Sequence, residues 1–231
     1  MSTLVVVPCF NEQASVATVV RDLHRDLPDA DVLVVDDCSR DATRATALRT
    51  GARVLSLCVN LGVGGAMRAG YRYAAEHGYD VVLQVDGDGQ HDTRQAVELV
   101  AGLAEADLVI GARFAGAGEY DVRGPRRWSM ALLAGVLSRR TGVRLTDTTS
   151  GFRATNARAT ALFARHYAAE YLGDTVEAIV LAHKSGLTIA QVPVTMRPRT
   201  TGRASAHPVQ AAVYLARVVL ALVLSTVRRF P

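Results

Sequence analysis

Four short runs of apolar, mostly β-branched residues punctuate the first part of this chain, and each stops at a polar cluster that leads into a helical pattern. Leu4 to Val7 breaks at Pro8, after which Asn11 and Glu12 open an amphipathic segment, Ser15 to Leu27, with apolar residues at Val16, Val19, Val20, Leu23 and Leu27. Asp31 to Val35 ends in Asp36-Asp37, followed by Ser39, Asp41 and a helix from Ala42 to Thr50 closed by Gly51. Arg53 to Val59 runs into Asn60-Leu61-Gly62-Val63-Gly64-Gly65 and a helix through Met67 to His77. Val81 to Val85 stops at Asp86-Gly87-Asp88-Gly89. Strands apolar on both faces and alternating with helices predict an α/β fold, with a parallel sheet covered on both sides. The carboxyl ends of such strands are neighbours, so Asn11, Glu12, Asp36, Asp37, Asn60, Asp86 and Asp88 are expected to converge on one crevice.

The fourth of these ends carries the most chemistry. Asp86 and Asp88 with the amide of Gln90 offer hard oxygen ligands suited to Mg²⁺ or Mn²⁺, and an ion there would hold an anion such as a diphosphate. Asp-Gly-Asp-Gly is also ordinary turn chemistry, and the structural reading stands beside the metal one. An EF-hand loop fails by position, because counting from Asp86 the sixth residue is His91 and the twelfth Val97, where glycine and glutamate are required. A dinucleotide fingerprint fails too: the turn after the first strand has no glycine, and Met67 stands at the last position of the Gly62 to Gly65 loop. No P-loop motif occurs.

With 49% apolar and 21% charged residues in 231, the chain has the composition of an ordinary globular protein. Its basic side is almost all arginine, Lys184 being the only lysine, and is not interleaved with aromatics, which argues against nucleic acid. Cys9, Cys38 and Cys58 lie in or beside apolar runs without metal-ligand spacing and read as reduced core residues. The amino terminus lacks the basic start of a signal peptide and reads as the first strand. Beyond Asp92 the pattern predicts a helix from Gln95 to Ala104 and a strand from Asp107 to Gly111 ending at Arg113. A Gly- and Arg-rich loop from Phe114 to Arg127 follows, then a helix from Trp128 to Arg140. The polar cluster Thr146 to Arg153, helices through His166 and from Asp174 to Lys184, and a strand from Leu187 to Met196 complete the pattern up to Arg197.

Taken together, several motifs resemble the family 2 inverting glycosyltransferases of GT-A fold. They are Pro8-x-Phe10-Asn11-Glu12, Asp36-Asp37-x-Ser39-x-Asp41-x-Thr43, Asn60-x-Gly62-x-Gly64-x-Ala66-x-x-x-Gly70, Asp86-x-Asp88-Gly89-Gln90-His91, Ser150-Gly151-Phe152-Arg153 and Arg199-x-x-Gly202. Within that family the chain is most similar to the dolichyl-phosphate mannose synthase and polyprenyl-phosphate glycosyltransferase branch. Two positions depart from the pattern: Phe10 stands where a tyrosine is usual, and Ala204 replaces a serine, leaving Arg203 or Ser205 to take its contact.

The resemblance implies transfer of a sugar, with inversion, from a nucleotide diphosphate donor such as GDP-mannose or a UDP-sugar. The acceptor implied is a polyprenyl phosphate, with a hydroxyl of a soluble, carbohydrate or natural-product acceptor as the alternative and a non-catalytic nucleotide-sugar binding protein behind it. It places Pro8, Phe10, Asn11, Glu12, Val35 and Asp37 around the nucleoside and Gly64, Asp86, Gly87, Arg199 and Ser205 along the rest of the donor. Asp86, Asp88 and Gln90 become the metal ligands, and Arg113 with Arg126 or Arg127 would hold the acceptor phosphate. For a hydroxyl acceptor, Asp147 and Glu177 are the candidate bases, although Asp147 is equally suited to brace a turn and Glu177 to a solvated helix face. Residues 1–206 are expected to form the catalytic domain and 207–231 an apolar helix. In that tail Val209 to Val227 is almost continuously apolar, with Arg217 near its centre, which disfavours spanning a bilayer. Contact with a membrane surface, a small membrane-protein partner or a second copy of the chain fits it better, and with it a cytoplasmic enzyme peripheral on the inner face of the cell membrane.

Overall fold

The computed structural model describes residues 1–113, 125–167 and 174–197, with the backbone alone over 125–130. Arg199, Ser205 and the tail at 207–231 lie outside the described residues, as do the side chains of Arg126 and Arg127.

Among the described residues seven strands form one sheet. In chain order the elements are β1 (Thr3–Cys9), α1 (Val16–Asp26), β2 (Asp31–Asp36), α2 (Thr43–Leu48), β3 (Arg53–Ser56), α3 (Gly62–Glu76), β4 (Val81–Gln84), α4 (Ala96–Ala101), β5 (Leu108–Ala112), α5 (Pro125–Thr141), β6 (Arg153–Asn156), α6 (Ala157–His166), α7 (Asp174–Lys184) and β7 (Ile189–Pro193). The strand order is β3-β2-β1-β4-β6-β5-β7, with β6 antiparallel to both its neighbours and every other pairing parallel. The chain winds one way from β1 through β2 to β3 and then returns to place β4 on the other side of β1. That reversal opens the crevice between the carboxyl ends of β1 and β4, where such sheets take ligands.

Alternate residues of each strand feed two cores. Leu4, Val6, Leu33, Val82 and Ile110 pack under α3, α6 and α7 with Met67, Tyr71, Phe163 and Ile179. Val5, Val7, Val34, Leu83 and Val109 pack under α1 and α4 with Val16, Val20, Leu23 and Leu99. Strands buried on both faces need apolar residues at every position, which is why β1, β2 and β4 are so plain in the sequence. Helix α3 crosses β1 closely: a Cβ at Gly70 would stand 2.5 Å from Val6 Cγ1.

Several expectations are corrected. Residues 153–156 form a central strand, β6, where the sequence suggests a polar cluster followed by a helix. Polarity hid it: Arg153 and Thr155 are buried at 1% and 0% exposure, yet their polar atoms are satisfied by the carbonyls of Ser150 and Val82 and the hydroxyl of Thr160. The helix expected over 95–104 is α4 alone, flanked by single 3₁₀ turns at Thr93–Gln95 and Gly102–Ala104. Strand β3 stops at Ser56, and β7 covers only Ile189–Pro193. Of the cysteines, all unpaired, only Cys9 is a core residue; Cys38 is half-buried and Cys58 exposed, because β3 is an edge strand that ends before it.

Candidate active site

The turns after β1 and β2 are laced together before anything can bind to them. Asn11, in the left-handed region at φ 57°, donates its amide to the Ser39 hydroxyl, and its side-chain oxygen accepts from the amide of Arg40. The amide of Glu12 donates to the Thr43 hydroxyl at 2.7 Å, and that of Ala42 to Gln13 Oε1 at 2.9 Å. Pro8 is half-buried, and Phe10, 44% exposed, presents a ring at the mouth of the crevice, a face on which a base can stack. Glu12 Oε2 accepts from the Ser15 hydroxyl, which fixes its carboxylate at the start of α1.

Asp37 has a structural task of its own. Its two carboxylate oxygens accept the amides of Leu61 and Gly62 at 2.7 and 2.8 Å, so it holds the amino end of α3, and Asn60 Nδ2 donates to its carbonyl. That lattice is the physical content of the Asp37 and Asn60-x-Gly62 motifs. Gly64 is buried in the first turn of α3. Val35 lies wholly in the core beneath α3, so its side chain does not line the crevice.

Around Asp86 every neighbour bears on one carboxylate. Gln84 Nε2 donates to Oδ1 at 3.2 Å, and His91 Nε2 stands 3.6 Å from Oδ2. His91 Nδ1 accepts the Asp86 amide at 3.1 Å, which assigns the proton of the neutral ring to Nε2, facing that carboxylate. The ring is 3% exposed and stacks on Phe152, centroids 4.8 Å apart. A Cβ on Gly151 would fall 2.8 and 2.9 Å from the Asp86 oxygens, and one on Gly87 would fall 2.4 Å from Cys9 Sγ. The motif glycines therefore make room, for a carboxylate in one case and for β1 in the other. Asp88 Oδ1 accepts the Gln90 amide at 3.0 Å, and Gly89 turns the loop at φ 77°. Gln84 Oε1 is the unpaired buried side-chain acceptor among the described residues, beside this carboxylate.

Among the described residues no three His, Cys, Asp or Glu side chains gather as a ready-made metal cage. The donor set on the loop is two carboxylates and a carboxamide, all half-buried. Such a partial set fits Mg²⁺ or Mn²⁺, hard ions that keep positions open for substrate phosphate oxygens.

Asp147, one of the two candidate bases, is 1% exposed and gripped by Arg113, whose Nε and Nη2 donate to its two oxygens at 2.6 and 2.9 Å. The amides of Arg113 and Thr149 add 3.2 and 3.1 Å bonds, and Arg113 Nη2 also reaches the Thr149 hydroxyl. Burial pushes the Asp147 carboxyl up, but the Arg113 hydrogen bonds and charge outweigh it and hold it below the ordinary carboxylate range. Of the two readings of Asp147, this geometry favours the brace over the base. Glu177 is half-buried, one turn inside α7.

Two contributors escaped the sequence reading. Arg153, wholly buried, spreads its guanidinium over the carbonyls of Ser150, Thr148 and Thr175, tying the Asp147 segment to the first turn of α7. Asp174, 2% exposed, accepts from Tyr167 Oη at 3.4 Å; burial raises its pKa to about 6 despite the Arg153 charge. A carboxyl raised from 3.8 favours the folded state fully below that value and loses this contribution as pH rises through about 6. Asp174→Asn should therefore be more stable than the native chain at pH 7.5, by up to about 3 kcal/mol, and no more stable at pH 4. Urea unfolding at the two pH values measures it, and an unchanged difference would contradict the assignment.

With this geometry in place, the comparisons with known proteins agree. The sequence model of Glycosyl transferase family 2 matches residues 4–172. The chain is 36% identical over 212 residues to the undecaprenyl-phosphate mannosyltransferase of Micrococcus luteus, covering 87% of this chain and 86% of that one. It is 29% identical over 214 residues to the polyprenol monophosphomannose synthase of Mycolicibacterium smegmatis, covering 87% and 79%. The crystal structure of glucosyl-3-phosphoglycerate synthase from Mycobacterium tuberculosis, in complex with Mn²⁺, uridine-diphosphate-glucose and phosphoglyceric acid, matches with a TM-score of 0.74 at 23% identity. It covers 99% of this chain and 81% of that one, and is a likeness of fold.

Proposed function

Since the chain belongs to glycosyl transferase family 2 and is a glycosyltransferase, we propose that it transfers mannose from a nucleotide diphosphate sugar to a polyprenyl phosphate, with inversion. The observation that carries this reading is the Arg113–Asp147 fork. With Asp147 bound bidentately and its pKa depressed, that carboxylate does not deprotonate an alcohol, whereas a phosphate monoester is already an anionic nucleophile near pH 7. The relatives named for undecaprenyl phosphate and polyprenol support the same acceptor class. Glu177 is the residue on which a second reading, transfer to a hydroxyl, rests.

In the proposed site Phe10 stacks on the base, and Glu12 offers acceptors to the nucleoside. Asp86, Asp88 and Gln90 are the residues that would hold Mg²⁺ or Mn²⁺. Bound there, the ion would supply Lewis-acid stabilisation of charge developing on the departing diphosphate. Gln84 and His91 keep the Asp86 carboxylate turned toward the crevice, and Gly151 leaves it room. For the two phosphates we assign Arg199 and Ser205 to the donor and Arg126 and Arg127, with Arg113, to the acceptor. A polyprenyl acceptor requires work at a membrane surface, and residues 207–231 are the proposed contact there. Among the described residues no helix is long and apolar enough to cross a membrane.

A ligand that binds only the folded state raises its stability, by about 2.7 kcal/mol at a hundredfold excess over Kd. GDP or UDP with Mn²⁺ should thus raise the unfolding midpoint by roughly 5–10 °C, and the same nucleotide in chelator by much less. Equal shifts with and without the ion would refute the metal-assisted reading.

A further inference from the structure

Beyond β7 the chain runs along the outer side of the acidic loop and is stitched to it at successive residues. The amide of Thr195 donates to Gln95 Oε1 at 3.0 Å, Met196 forms an isolated antiparallel bridge with His91, and the amide of Arg197 donates to the carbonyl of Gln90 at 2.8 Å. The Arg197 guanidinium then divides between two elements: Nη1 meets Asp22 Oδ2 on α1 and Nη2 meets Asp92 Oδ1 at the end of the acidic loop, both at 2.9 Å. Asp22 and Asp92 are each shared with a second arginine, Arg25 at 2.9 Å and Arg94 at 2.6 Å. The two carboxylates are only 16% and 9% exposed and the Arg197 side chain 35%, so its pairs are sheltered on the acid side.

We propose that Arg197 is a positioning residue for the donor site: its fork fixes the Gln90 to Asp92 stretch against α1 and thereby sets where Asp88 and Gln90 stand. The inference rests on the reading of residues 86–90 as the metal and diphosphate loop. None of the groups Arg197 contacts belongs to either hydrophobic core, so its role is local to the loop and not to the stability of the sheet. The loop is also held by the Asx turn at Asp88, by His91, whose ring stacks on Phe152, and at its exit by the Thr93 hydroxyl, which donates to Asp26 at the end of α1. The Arg94 pair with Asp92 lies within the loop's own exit, and the Thr93 bond reaches the last residue of α1, so Arg197 adds the tie that joins Asp92 itself to Asp22. Arginine is required for the bridging because its planar fork reaches two carboxylates at once, which a single ammonium does less well.

The test uses the full chain with Arg197→Met, which keeps the backbone bond to Gln90, and Arg197→Lys. Hydrogen exchange of residues 86–92, measured with neither metal nor nucleotide, should be about tenfold faster in Arg197→Met and unchanged in β1, β4 and α3; Mn²⁺ binding in the presence of GDP or UDP, followed by electron paramagnetic resonance, should weaken about tenfold. Arg197→Lys should recover part of both. Native exchange at 86–92 in Arg197→Met overturns the proposal, and so does acceleration spread evenly over the whole chain, which would mark a merely structural residue. If the native protein itself binds no Mn²⁺, the metal reading of the site fails, and the exchange rates alone still decide the role of Arg197.

Discussion

Asp88→Ala is expected to reduce sugar transfer by about a thousandfold, since a metal ligand at the leaving diphosphate is asked for several kcal/mol of transition-state stabilisation. The same substitution should change unfolding free energy by no more than about 0.5 kcal/mol, because Asp88 is half-buried on a loop beyond the end of β4 and belongs to neither core. Its Oδ1 accepts the Gln90 amide within a turn that Gly89 continues to favour. Initial rates at saturating donor and metal, beside urea unfolding of the same preparation, separate the two effects. A variant that keeps a tenth of native activity would remove Asp88 from the machinery, and one that fails to fold would assign it to the scaffold.

Arg113→Met should cost stability where Asp88→Ala does not, about 3–5 kcal/mol, because it leaves the Asp147 carboxylate charged and buried without its partner. Asp147 has 0% of its side chain exposed, so water cannot replace the guanidinium. The loss should shrink as pH falls. In the native chain the depressed Asp147 carboxyl contributes stability above the ordinary carboxylate range and loses it on acidification, so the native protein weakens toward the variant. Adding Asp147→Asn to Arg113→Met should restore most of the difference at pH 7. Urea melts of the three chains measure it, and a cost below about 1 kcal/mol for the single variant would show that the pair is not the brace assigned to it.

What could be read from the sequence follows from which forces are local. Strands β1, β2 and β4 announce themselves because burial on both faces demands unbroken apolar runs, and their polar ends mark the crevice for the same reason. Strand β6 does not, because Arg153 and Thr155 satisfy their polar atoms with partners the local pattern cannot display. The Asp86 to Gln90 loop was legible as a cluster of hard oxygen donors, but the seat around it was only half so. His91 and Gly151 stood in motifs without a role, and Gln84 looked like one more residue of a strand. The structural partners of Asp37 and Asp147 were not legible because a carboxylate's partner is a matter of distance in space: the amides that Asp37 holds are 24 and 25 residues away, and Asp147 lies 34 from Arg113. Arg197 was invisible for the same reason, since its carboxylates sit on α1 and at Asp92.

The central claim is that an acceptor already carrying negative charge replaces the general base this site lacks in Asp147. It is tested most directly by offering the purified full chain, with Mn²⁺ and radiolabelled GDP-mannose or UDP-glucose, three acceptors in parallel: a short-chain polyprenyl phosphate, the corresponding polyprenol, and a soluble carbohydrate alcohol. The account predicts a radiolabelled glycosyl product on the polyprenyl phosphate, mannosyl from GDP-mannose, and none above background on either alcohol. Transfer to polyprenol or to the soluble alcohol at a rate equal to that on the phosphate would contradict it, and would return Glu177 to the role of base.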